Sequence, residues 1–92
     1  MSRKRNRLQI IYDILFAIRE KNGKIKPTHI LYKSNLSHQM MEEYLNDLWA
    51  KGFIIVNNTK KGRTFAITDK GNDYLNKYKM IVEFMESFGL DT

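Results

Sequence analysis

From Leu8 to Glu20 the chain is apolar at Leu8, Ile10, Ile11, Tyr12, Ile14, Leu15, Phe16, Ala17 and Ile18. At about 100° per residue these positions cover roughly 260° of a helical wheel, leaving Gln9, Asp13 and Glu20 on a narrow polar side. The pattern predicts a first helix wrapped by protein on more than one face. Asn22 and Gly23 follow as residues that tolerate a left-handed C-cap, and Lys24 to Lys26 is a short link able to pair as an edge strand. Pro27 suits the first turn of a second short helix, Thr28 to Lys33, because its missing N–H has no intrahelical partner there. Ser34 and Asn35 break it. Ser37 then serves as N-cap of a third helix ending before Gly52, with Met41, Tyr44, Leu45 and Leu48 as an i, i+3, i+4, i+7 stripe and Trp49 at its edge. Only Ser34 to Leu36 separates the second and third helices, which is helix-turn-helix spacing.

Past Gly52 the period changes. Phe53 to Val56 is β-branched and aromatic, Asn57 to Gly62 is turn chemistry, and Thr64 to Ile67 returns as a second strand, so a hairpin is expected. Thr68 caps a last helix, with Asp69 in its first turn where the helix dipole favours a carboxylate. Along that helix Tyr74, Tyr78, Ile81, Met85 and Phe88 recur at spacings of 4, 3, 4 and 3, a seam of a/d type about two heptads long. Such a seam suits either packing on its own domain or a homodimer. The wide apolar arc of the first helix and the off-stripe Met80 and Phe84 favour the homodimer.

The helix, helix, helix, hairpin, helix order resembles a winged helix-turn-helix domain, mainly α with a small β-hairpin: a three-helix core plus wing, followed by a C-terminal dimerisation helix. The residues that carry the resemblance are Leu36-Ser37 opening the third helix, Tyr44-Leu45 and Leu48-Trp49 on its inner face, and Lys51-Gly52-Phe53-Ile54 entering the hairpin. Phe65-Ala66-Ile67-Thr68-Asp69-Lys70-Gly71 resembles the strand-to-helix signature beyond the wing. In layout the chain is most similar to the small archaeal winged-helix chromatin proteins of the 10a type, with Tyr12-Asp13-Ile14-Leu15 as the matching first-helix segment. That resemblance implies DNA binding, as a transcription regulator or a chromatin-type architectural protein, and an antiparallel coiled-coil dimer through the last helix. The organisation it implies is a basic arm over residues 1–7, a winged helix-turn-helix domain over 8–67 and a dimerisation helix over 68–92.

Composition narrows the partner. Ninety-two residues suffice for one domain. A chain so short buries only about 60 to 65 % of its unfolded surface, so stability is expected to be marginal or oligomeric. No cysteine is present, which excludes disulfides and thiolate metal sites, and no apolar run reaches the ~20 residues of a membrane span. No export signal follows the basic N-terminus, so a cytoplasmic, nucleoid-associated location is the expectation. The net charge of +6 is concentrated in two places. Residues 1 to 26 carry +6 and residues 53 to 71 carry +3, while the intervening and final segments are acidic by −1 and −2. The first patch is Arg3, Lys4, Arg5 and Arg7; the second is Lys60, Lys61 and Arg63.

In a winged helix the third helix enters the major groove and the wing reaches neighbouring phosphates. Opposite the apolar stripe stand Gln39, Glu43 and Asn46, flanked by Met40 and His38. Ser37, His38 and Gln39 are the expected groove contacts, Gln39 being able to pair bidentately with adenine. Glu42, Glu43 and Asp47 make this helix acidic apart from Lys51, which argues against base reading unless Glu43 accepts from a cytosine N4 amine. Phosphate neutralisation by Arg3, Lys4, Arg5, Arg7, Lys33, Lys60, Lys61 and Arg63 is therefore expected to carry binding. His29 and His38 lack metal-ligand spacing, Ser37 beside His38 is no triad, and Gly23-Lys24 lacks the rest of a phosphate loop, so neither enzyme activity nor a cofactor is expected. A protein-interaction winged helix in a larger assembly, docking through its acidic third helix, is the rival class; RNA binding is also compatible with these residues.

Overall fold

A computed structural model of the chain describes residues 6–90. Its elements are α1 (Arg7–Glu20), α2 (Pro27–Ser34), α3 (His38–Ala50), β1 (Ile54–Thr59), β2 (Gly62–Ile67) and α4 (Asp69–Ser87). Helix α1 begins one residue before the apolar pattern because Asn6 and Gln9 form a capping box: the Asn6 side chain accepts from the Gln9 N–H at 2.8 Å, and the Asn6 N–H donates to Gln9 Oε1 at 3.1 Å. Arg7 is thereby a helical residue.

The wide apolar arc of α1 finds its partners within the chain. Ile10, Ile11, Ile14, Leu15, Ala17 and Ile18 are buried, and the helix packs against α2, α4 and β2. Little of that arc is left for another subunit, so it lends less support to a homodimer than its width in the sequence implies. Asn22 and Gly23 take positive φ (52° and 83°), turning the chain so that Ile25 forms a single antiparallel bridge with Phe65 beside the hairpin. Pro27 opens α2, and Asn35 closes it in the left-handed region at φ 53°. Ser37 caps α3, its Oγ accepting from the Met40 N–H at 3.2 Å.

Strands β1 and β2 pair antiparallel from Ile54↔Ile67 to Thr59↔Gly62, so only Lys60 and Lys61 form the tip. The wing is longer than the apolar pattern implies because Asn57, Asn58 and Thr59 continue the ladder opposite Thr64, Arg63 and Gly62. Alternation along β1 buries Ile54 and leaves Ile55 exposed. The core joins Ile14, Leu15 and Ile18 of α1 to Ile30, Met41, Leu45 and Leu48 of α2 and α3, with Ile25, Ile54, Phe65 and Leu75 closing it.

The start of α4 is fastened to the end of α3. Lys70 Nζ donates to the Lys51 carbonyl at 2.7 Å, Thr68 Oγ1 donates to the Gly52 carbonyl at 2.6 Å, and the Thr68 N–H donates to the Phe53 carbonyl at 3.1 Å. Thr68 also caps α4 through the Gly71 N–H. Three successive carbonyls that leave α3 are thus held by groups that begin α4.

Candidate nucleic-acid interface

Residues Gln39, Glu43 and Asn46 lie on the exposed side of α3, away from the buried Met41, Leu45 and Leu48. Ser37, His38 and Gln39 are exposed at its first turn, as the sequence expectation has them, and Ser37 is engaged as the cap. Lys60 and Lys61 are exposed at the wing tip, where the Thr59 hydroxyl donates to the Gly62 carbonyl at 2.7 Å and accepts from the Lys61 N–H at 3.2 Å. Lys33 is exposed in the last turn of α2. Among the described residues no ion pair holds Lys33, Lys60 or Lys61.

Two of the expected phosphate contacts are committed elsewhere. Arg7 Nη2 lies 2.8 Å from Asp47 Oδ2, with its guanidinium 5.3 Å from the centre of the Tyr44 ring. Arg63 Nη2 lies 2.7 Å from Glu42 Oε2, tying β2 to α3, and its guanidinium also lies over Phe65. Asp47 is held besides by Lys51 Nζ at 2.7 Å. That lysine hydrogen bond, then the charges of Lys51 and Arg7, outweighs partial burial and lowers the Asp47 carboxyl below its ordinary value. The acidity read from α3 therefore belongs mostly to its flanks: Glu42 faces the wing and Asp47 faces α1. Arg3, Lys4 and Arg5 lie outside the described residues.

The α4 seam divides in two. Tyr74 donates its hydroxyl to the Leu8 carbonyl at 2.8 Å and meets Phe53 edge-on, and Tyr78 stacks on Tyr12 with ring centres 4.6 Å apart. Burial is the first cause that raises both phenols above the ordinary tyrosine value. Ile81 and Phe88, by contrast, are 56 % and 65 % exposed, and Met85 is also exposed. Met80, Phe84 and Leu90 join them, so the far half of α4 presents an apolar surface that the described residues do not cover. No periodicity announces the α3–α4 carbonyl contacts, whereas the Asn6-to-Gln9 box has a local signature in its Asn-x-x-Gln spacing. Tyr32, in the last turn of α2, is the most exposed large hydrophobic side chain among the described residues at 89 %.

Three packed helices, a two-stranded wing and an exposed third helix define a winged helix-turn-helix, a DNA-binding fold not ordinarily used for catalysis. A winged helix-turn-helix family profile matches residues 4–86, and the chain belongs to that family. It is 31 % identical over 84 residues to the uncharacterized protein MJ0287 of Methanocaldococcus jannaschii, covering 91 % of this chain and 80 % of that one. Among solved structures it is similar to Sso10a-2, a DNA-binding protein from Sulfolobus solfataricus, with a TM-score of 0.79, 20 % identity, and coverage of 91 % and 85 % of the two chains. It is also similar to the transcriptional repressor CouR bound to a 23-mer DNA duplex, with a TM-score of 0.68, 19 % identity, and coverage of 78 % of this chain and 52 % of CouR. Among the described residues no helix is long and apolar enough to cross a membrane, and no three His, Asp or Glu side chains gather as a metal site would need.

Proposed function

We propose that the protein is a homodimeric duplex-DNA-binding protein, a transcription regulator or architectural chromatin protein, that grips DNA through α3, the wing and its basic N-terminal arm. The observation that carries this reading is the exposed polar strip of α3 set beside a Lys60-Lys61 tip that has no ion pair among the described residues, while the acids on the helix flanks are neutralised by Arg63, Arg7 and Lys51. The wing lysines and Lys33 supply sequence-independent attraction to phosphate; helix α3 supplies the surface that enters the groove. Sso10a-2 and CouR, both described as DNA-binding, support the same direction. A cytoplasmic, nucleoid-associated location goes with that role.

The dimer is supported by α4. Its exposed Ile81, Phe84, Met85 and Phe88 form an apolar end that the described residues leave uncovered, beside a groove of about 330 Å³ lined in part by Leu8, Val82, Met85 and Leu90. A second copy supplies the matching surface, since an isologous contact uses the same patch twice.

Electrophoretic shift on genomic and random duplexes at two or more salt concentrations tests the reading. Arg7 and Arg63 are held by carboxylates, so among the described residues Lys33, Lys60 and Lys61 are left to meet phosphate, and the arm residues Arg3, Lys4 and Arg5 are proposed to join them. Six such contacts give a slope of log K against log salt near −5 per protomer. Replacing Lys60 and Lys61 together by Ala makes that slope shallower by about two units. A slope shallower than about −1 refutes the electrostatic grip. No shift even at low salt moves the assignment to a protein-docking winged helix.

A further inference from the structure

Glu43 is the acid left in the DNA-facing strip of α3. Glu42 and Asp47 are drawn to the flanks by Arg63, Arg7 and Lys51, and among the described residues no ion pair holds Glu43. Its side chain meets the Gln39 amide, whose Nε2 donates to Glu43 Oε2 at 3.4 Å, one turn nearer the start of the helix. Asn46 and Ala50, both exposed, complete the strip.

An unneutralised carboxylate at this position has a definite consequence. Brought into a major groove it is repelled by phosphate and by the acceptors that guanine (N7, O6) and thymine (O4) present there. It is tolerated only where a base offers an amino hydrogen, and cytosine N4 is the donor best placed to meet a single carboxylate. With the Gln39 amide group turned toward Glu43, the Gln39 carbonyl oxygen adds another acceptor to the strip. We propose that Glu43 is a specificity-determining residue, a filter that weakens binding to most duplexes and admits sites with a cytosine opposite it. This rests on the DNA-binding reading above and narrows it toward a selective regulator rather than a general coating protein, because selectivity here comes from a penalty on wrong sites as much as from a contact to the right one.

Selection of duplexes from a randomised library, followed by titration of the winning site, tests it. The protein is expected to enrich sites with one fixed cytosine in each half-site, and replacing one of those base pairs lowers its affinity roughly 5- to 150-fold, the factor equivalent to one good base contact. Glu43→Ala removes an exposed side chain and its repulsion, so it is expected to fold normally, bind random duplex more tightly than the parent, and lose the cytosine preference at that position alone. Enrichment of no cytosine, or a preference that survives in Glu43→Ala, overturns the filter. Tight binding to every duplex with a steep salt slope and no motif does the same while leaving the DNA-binding reading intact. Failure to bind any duplex at low salt refutes that reading, and the filter with it.

Discussion

Gly71, in the first turn of α4, sits where the wing, the end of α3 and the last helix converge, and Gly71→Ala tests whether that junction is as tight as it looks. A Cβ on Gly71 would come within 2.5 Å of the Phe53 carbonyl oxygen and 2.5 Å of Ile67 Cγ1, with Ile67 Cδ1 at 3.1 Å. The Ile67 side chain, packed against the core, can yield only by changing rotamer. The Phe53 carbonyl cannot yield, because the Thr68 N–H holds it at 3.1 Å and its neighbours are bonded to Thr68 Oγ1 and Lys70 Nζ. Overpacking a filled site costs about 1–3 kcal/mol, and a clash with fixed backbone belongs at the upper end of that range. Alanine recovers about 1 kcal/mol over glycine in a helix. The net loss is about 1–2 kcal/mol, which for a domain of this size lowers Tm by about 4–16 °C. Thermal melts followed by circular dichroism at one fixed protein concentration measure it, since a dimer's Tm moves with concentration. In an Ile67→Ala background two of the three contacts vanish and the carbonyl clash remains, so Gly71→Ala still destabilises there. A Tm equal to or above that of the parent in either background refutes the reasoning.

Replacing Ile81 and Phe84 together by Glu puts charge on the exposed end of α4 and leaves the domain core untouched; the expected result is a monomer by sedimentation, and an unchanged mass disproves the α4 dimer. Asp47 carries a lowered carboxyl in the folded chain, so its contribution to stability is in place above the ordinary value of 3.8 and is lost as the pH falls through the lowered one. The Tm difference between the parent and Asp47→Asn is therefore expected at neutral pH and closes below 3.8, and a difference that persists unchanged in strong acid contradicts the assignment.

The order of elements was legible because each has a local signature: Pro27 and Ser37 mark helix starts, Gly52 marks an end, and the change from a helical to an alternating period marks the wing. Of the candidates for DNA contact, Lys33, Ser37, His38, Gln39, Lys60 and Lys61 are exposed, a property that follows from local pattern. Arg7 and Arg63 do not stand free, because their partners Asp47 and Glu42 are 40 and 21 residues away along the chain.

By itself the sequence determined the fold, through periodicity and caps that act over a turn or two. It also determined that the positive charge gathers at the N-terminus and the wing. Tertiary structure decided which of those charges are left to act, since an ion pair needs only a few ångströms in space and is indifferent to separation along the chain. It divided the α4 seam into an inner half stacked on α1 and an outer half that the described residues leave exposed. It also drew two of the three α3 acids to the flanks and left Glu43 on the exposed face of the helix.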